Sequence, residues 1–207
     1  MINVYCLKCD SKYDRSFVTK LKDSVSKYLT KEHKFFCLTD KPKKDYDIPI
    51  VRKFPDVWNK MHFFNYVGNS LYFDLDIKIH DNIDFLANDF EHFTLIDSSK
   101  WKDNKKDLGF KVRNNTLVNT SVMRWSFAQD IYQKFANNHD TFFRLYKGID
   151  RFIYNENITY KYFDTDMIMS WKDKNYTKKV ITLYNGKFKN RQWVLATKSQ
   201  KSNKKIS

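Results

Sequence analysis

The sequence predicts an α/β domain, a mixed and mostly parallel sheet flanked by helices, from three observations. An apolar segment over residues 2–7 is followed by a helix-periodic stretch and a second apolar segment, Lys34-Phe-Phe-Cys-Leu38. Strand, helix, strand is the unit that lays two strands parallel through a right-handed crossover. Later segments keep alternating short strands with amphipathic helices. At 207 residues, with 42% hydrophobic and 17% aromatic residues but 4 Gly and 3 Pro, the chain suits one folded domain, not a disordered or fibrous chain.

Each element has its own signal. Phe17, Leu21, Val25 and Tyr28-Leu29 recur at helical spacing and predict a helix over 15–29. Residues 34–38 form the second strand, which ends at Thr39-Asp40 before a Lys-Pro-Lys-Lys turn. Trp58-Asn-Lys-Met-His-Phe-Phe-Asn-Tyr66 reads as a short helix stopped at Gly68, and residues 83–86 as a single turn. A strand bearing Asp74 and Asp76 near its end follows, then strands over 93–96 and 117–125, with a charged surface loop over 97–107. Helical pattern covers 127–137, 141–146 and 149–155, and two late strands are expected at 167–171 and 180–184. One domain should cover residues 1–195, leaving a basic and disordered tail over 196–207.

Charge is placed unevenly. Between Lys172 and Ser207 eleven Lys or Arg stand against one Asp, which supplies +10 of the net +14. A basic end of this kind attracts nucleic acid, an anionic membrane surface or an acidic glycan, or is simply a solvated terminus. No run of about 18 apolar residues exists to span a bilayer. The start Met-Ile-Asn-Val-Tyr-Cys-Leu reads as a strand, not a signal peptide, and Cys6, Cys9 and Cys37 cannot all pair. The expectation is a cytoplasmic protein with core thiols, with peripheral attachment to a membrane as the alternative; a C-x-x-C without a second ligand pair makes no zinc site.

The chemistry concentrates in Asn69-Ser-Leu-Tyr-Phe-Asp-Leu-Asp-Ile-Lys-Ile-His80. Side chains alternate along a strand, so Asp74 and Asp76 should point one way while Leu75 turns to the core. Two adjacent carboxylates repel and are costly to desolvate, which a hard cation such as Mg2+ or Mn2+ between them offsets. Two solvated aspartates where a strand runs into a loop are the plainer reading. Thr39 and Asp40 lie at a parallel strand's carboxyl end, where ligands of open α/β sheets gather.

In order along residues 2–190, these pieces resemble a GT-A type glycosyltransferase, similar to the glycogenin-like families and to bacterial and viral D-x-D transferases. The resemblance rests on Cys-Leu-Thr-Asp40, Trp58-Asn-Lys60, Leu71-Tyr-Phe-Asp-Leu-Asp-Ile-Lys-Ile79, Asn82-Ile-Asp84 and Val118-Asn-Thr-Ser-Val-Met-Arg-Trp125. It implies transfer of a sugar from a UDP- or GDP-sugar to an unknown glycan, lipid or protein acceptor. Asp74 and Asp76 would hold Mn2+ or Mg2+, and Asp74 would also face the donor ribose. Thr39, Asp40 and Lys60 would meet the nucleotide-sugar, while Asn119, Thr120 and Ser121 offer groups for sugar hydroxyls, with only Asn119 and Ser121 on one face of the strand.

Two motifs depart from the family pattern. Relatives carry G-D-Q-x-F-I, whereas Gly148-Ile-Asp-Arg-Phe-Ile153 puts Ile149 in the acid's place and leaves Asp150 beside it as the substitute catalytic group. Relatives end in H-G-x-x-K-P, whereas Tyr184-Asn-Gly-Lys-Phe-Lys189 offers Asn185 as metal ligand and Lys187 and Lys189 to the diphosphate. An amide oxygen is the harder ligand and suits Mg2+ better than soft ions. His80, His92 and His139 are surface residues that could replace the missing imidazole only in principle. Rival readings are a haloacid-dehalogenase type phosphatase, which wants Thr or Val where Lys78 stands, and a basic nucleic-acid-binding protein using aromatic stacking.

Overall fold

The structure, a computed structural model, describes residues 1–9, 12–102, 116–164, 166–173 and 175–184. Its large sheet comprises β1 (Ile2–Lys8), β2 (His33–Thr39), β3 (Asp47–Pro49), β4 (Ser70–Phe73), β6 (Thr94–Asp97), β7 (Val118–Trp125) and β8 (Lys161–Tyr162). The strand order is β3-β2-β1-β4-β7-β6-β8. All pairings are parallel except the two made by β7, which runs against β4 and β6. A second sheet joins β5 (Ile77–Ile79), β10 (Ile181–Leu183) and β9 (Ile168–Ser170) in that order.

The helices are α1 (Arg15–Tyr28), α2 (Gln129–Leu145) and α3 (Ile149–Asn155). Asp14 caps α1 by accepting the Ser16 amide at 2.7 Å, satisfying one of the donors a helix start leaves free. Val18, Leu21 and Val25 form its buried stripe. Strand alternation divides the core in two: Val4, Cys6, Leu71 and Phe73 face α1, and Tyr5, Tyr72 and Trp125 face α2 and α3. The second layer is strongly aromatic, with Trp58 stacked on Phe135 at 5.5 Å and Phe142 tilted on Phe152 at 4.9 Å.

Three expectations need correction. The strand expected to bear Asp74 and Asp76 stops short of them: β4 ends at Phe73, Asp74-Leu75-Asp76 forms a turn, and β5 joins the other sheet. Backbone hydrogen bonds hold the turn from both sides, Asp74 N to Ser121 O at 2.8 Å and Tyr184 N to Asp76 O at 2.9 Å. The two helical stretches over 127–146 merge into α2, kinked at Asn138, and the short helix over 58–66 is a 3₁₀ segment, Asp56–Asn65. The edge strands β3 and β8, of three and two residues, carry too little periodicity to read. Among the described residues no helix is long and apolar enough to cross a membrane; residues 185–207, with the tail, lie outside them.

Candidate active site

Parallel strands send their carboxyl ends to one edge of a sheet, and an antiparallel neighbour sends its amino end there. Phe73 pairs with Val122, so the Asp74–Asp76 turn meets the start of β7 at that edge. The Asp56–Asn65 segment and the start of α3 close over it. Two cavities result, one of about 80 Å³ lined by Tyr13, Lys60, Asp74 and Asp76, the other of about 200 Å³ lined by Lys60, Asp74, Asn119, Thr120, Ser121 and Asp150. Because Lys60 and Asp74 line both, the cavities form one cleft.

Trp58-Asn59-Lys60 shows how a short segment places a charge. Trp58 is buried in the aromatic layer, while Asn59 Nδ2 donates to Phe54 O at 2.7 Å and Asp56 O at 2.9 Å and its Oδ1 accepts the Phe54 amide at 2.8 Å. The segment is thus pinned with Lys60, only 6% exposed, aimed inward. Its Nζ lies 2.8 Å from Asp74 Oδ1, donates to Thr120 O at 3.3 Å and sits 5.1 Å from the Tyr72 ring centre. The Tyr72 hydroxyl donates to the same Asp74 oxygen at 2.6 Å. Burial, followed by the charge of Asp74, pushes that phenol well above its ordinary range, so it remains a donor.

A β-bulge shapes the opposite wall. Leu95 pairs with Met123 but Ile96 pairs with Asn119, so the register jumps across residues 120–122. Bulges re-aim side chains. Here Asn119, Thr120 and Ser121 all line the cleft, in place of the alternation expected of a regular strand. Asn119 Oδ1 accepts the Ser121 amide at 3.0 Å, and Thr120 donates to Asp150 Oδ1 through its amide at 3.1 Å and its hydroxyl at 2.6 Å.

Asp150 stands in the first turn of α3, just after the N-cap Gly148, whose φ is +150°. A Cβ there would lie 2.9 Å from Val57 Cγ2, a clash that glycine avoids. Ile149 turns into the core and Asp150 turns to the cavity. Burial works to raise the Asp150 carboxyl, but the ammonium groups of Lys102, 3.0 Å away, and Lys60, with the Thr120 hydrogen bond, hold it below the ordinary carboxylate range. It is therefore ionised at neutral pH.

The donor set suits a hard divalent cation at two points. Asp76 is 5% exposed, its Oδ2 accepts the Tyr13 hydroxyl at 3.3 Å, and Asp74 opens onto the same small cavity. Among the described residues no three His, Cys, Asp or Glu side chains converge on one point. A cation held by Asp74 and Asp76 would keep positions for water or phosphate oxygens, which is usual for Mg2+.

Lys60, Asp74, Asp76, Asn119, Ser121 and Asp150 are thus brought together, whereas Thr39 and Asp40 line neither cavity. Thr39 Oγ1 accepts the Lys41 amide at 3.2 Å, and Asp40 pairs with Lys53 at 2.9 Å. Asn185, Lys187 and Lys189 lie outside the described residues. None of His80, His92 and His139 lines the cleft. Cys6 and Cys37 are buried, but Cys9 is half-buried and lines the smaller cavity. Sequence reasoning missed Tyr13, Lys102, Lys147 and Arg151. Lys102 sat in an apparent surface loop, while Lys147 and Arg151 bracket Gly148 and Asp150 and are the one missed pair with a local signal.

The sequence matches no protein-family model and no curated protein. By shape, the chain is similar to the galactosyltransferase LgtC solved in complex with donor and acceptor sugar analogs, with a TM-score of 0.61 at 12% identity over 89% of this chain and 87% of that one. An active-site mutant of LgtC gives 0.63 at 11% identity over 89% and 88%. The glycosyltransferase GlyE of Streptococcus pneumoniae TIGR4 gives 0.62 at 12% identity over 91% of this chain and 56% of GlyE, so the chain spans just over half of GlyE. The fold is that of GT-A glycosyltransferases.

Proposed function

We propose that this protein transfers a sugar from a nucleoside diphosphate, UDP or GDP, to a hydroxyl of a glycan, lipid or protein acceptor. The observation that carries the reading is the polar chain Asp74, Lys60, Thr120, Asp150, Lys102, which gathers two carboxylates, two ammonium groups and a hydroxyl from separate elements around one cleft. Such a cluster is costly to bury unless charge develops there. Trp58 and Trp125, two of the large rings that stacking on nucleic acid would use, are instead buried in the core, which counts against a nucleic-acid-binding role.

Asp74 and Asp76 would hold Mn2+ or Mg2+ against the diphosphate, where the cation would offset charge on the departing phosphate oxygen. Lys60, Lys147 and Arg151 would add fixed positive charge along that group. Asn119 and Ser121 would receive hydrogen bonds from, or donate them to, sugar hydroxyls. Asp150, kept ionised by Lys102 and Lys60, would face the carbon that becomes electron-poor as the bond to phosphate breaks. The basic residues after 185 would add to the diphosphate contacts, through Lys187 and Lys189, and would draw a cytoplasmic enzyme toward anionic surfaces.

The test is a thermal-shift panel of UDP, GDP, ADP and CDP with and without Mn2+. A ligand that binds only the folded state raises the melting temperature, so UDP or GDP should do so in a Mn2+-dependent manner. Absence of a shift with every nucleotide, with and without Mn2+, would sink the reading.

A further inference from the structure

A cavity of about 480 Å³ lies between α1 and β5, within the range of small-molecule sites. It shares Leu75, the middle residue of the carboxylate turn, with the smaller cleft cavity and no residue with the larger one. Its apolar surface comes from Phe17, Leu21 and Tyr28 of α1, from Leu75, and from Ile77 and Ile79 of β5. Around that surface stand Lys20, Lys27, Lys78 and Lys178 against a single acid, Asp23.

Lys78 and Lys178 make no ion pair among the described residues, although Lys78 is half-buried. Like charges gathered over an apolar floor are relieved by an anion with three or more acceptor oxygens. His80 also lines the cavity, and its ring lies 3.1 Å from Thr182 Oγ1. Burial and the two lysines keep that ring neutral near pH 7, so it offers hydrogen bonding without charge.

We propose that this cavity is a second binding site, distinct from the cleft, for a phosphate monoester that carries an apolar group. The phosphate sits against Lys78 and Lys178, and the apolar group lies on Leu21, Ile77 and Ile79. A lipid headgroup with its chains and a soluble phosphate are the two sources of that anion, and they differ in whether the apolar floor is used.

The experiment is calorimetric titration of the full chain with dihexanoyl phosphatidate, dihexanoyl phosphatidylcholine and inorganic phosphate. Phosphatidate should bind saturably and at least about tenfold more tightly than the other two. Lys178→Glu, on an exposed position where folding is not at risk, should weaken it about fivefold or more, and Lys78→Ala with Lys178→Ala at least about tenfold. Asp76→Asn should leave it unchanged. Equal affinity for inorganic phosphate overturns the apolar contact. No saturable binding of any probe, equal binding by the lysine variants, or loss of binding in Asp76→Asn overturns the site.

Discussion

β2 and β4 are neighbours of β1 on either side, both run parallel to it, and both lead straight into aspartates, Asp40 and Asp74-Leu-Asp76. Beyond β2 lies only the three-residue edge strand β3. Asp40 turns to Lys53, whose side chain is 55% exposed. Beyond β4 lies antiparallel β7, whose bulge brings Thr120 to within 3.4 Å of Lys60, and through Thr120 the Asp150 carboxylate. An aspartate at a strand end is therefore only a potential site. What converts it is a neighbour running the other way, because that neighbour delivers a second set of side chains to the same edge.

The contrast can be broken most directly through activity. Asp76→Ala should abolish any Mn2+-dependent thermal shift with UDP or GDP and lower transfer about 1,000-fold, or about 4 kcal/mol. Asp40→Ala should change neither, and equal losses in both variants would erase the difference between the two strand ends.

Stability gives the next largest effect. Asp74→Ala leaves the Lys60 ammonium buried without its carboxylate, which should cost about 3 kcal/mol and lower the melting temperature by roughly 6–12 °C. Lys53→Ala breaks an exposed pair and should cost under about 1 kcal/mol. Calorimetric unfolding of the two variants checks the ratio. Gly148→Ala should cost about 1–2 kcal/mol through the Val57 contact and the backbone angle. It should also reduce turnover more than substrate affinity, because Asp150 is displaced while Asp74 is not.

Two pH effects sharpen the picture further. The folded-state pKa of Asp150 is depressed, so its contribution to stability is complete above its ordinary value of 3.8 and is lost as pH falls through and below it. Asp150→Asn should flatten that acid limb of the melting curve. His80 is lowered from 6.5 to about 4, so the unfolded chain takes up a proton first and stability falls as pH drops from 6.5 toward 4. His80→Asn should remove this smaller decline, and no change there would disprove the buried neutral ring.

Much of the framework was legible residue by residue. β1, α1, β2 and α3 fall within about one residue of the boundaries their periodicity predicts, because each has a long apolar stripe or run. The break between β4 and β5 was not legible: Leu75, Ile77 and Ile79 alternate as in one strand, yet they are buried because the chain changes sheets. The bulge in β7 was hidden for the same reason. Asn119-Thr-Ser121 looks like any polar stretch until its register against β6 is known.

Local chemistry alone specified β1, α1, β2 and α3, the paired carboxylates of the turn and the glycine before Asp150, since propensity, alternation and backbone freedom act over a few residues. Only the assembled sheet decided that Lys60 meets Asp74, that Thr120 holds Asp150 and that Asp40 stands aside. Those pairings join residues 14 and 30 positions apart, with Asp40 and Lys53 13 apart, and depend on which strands lie side by side. Strand order is set by burial of the whole core, a quantity that no single segment contains.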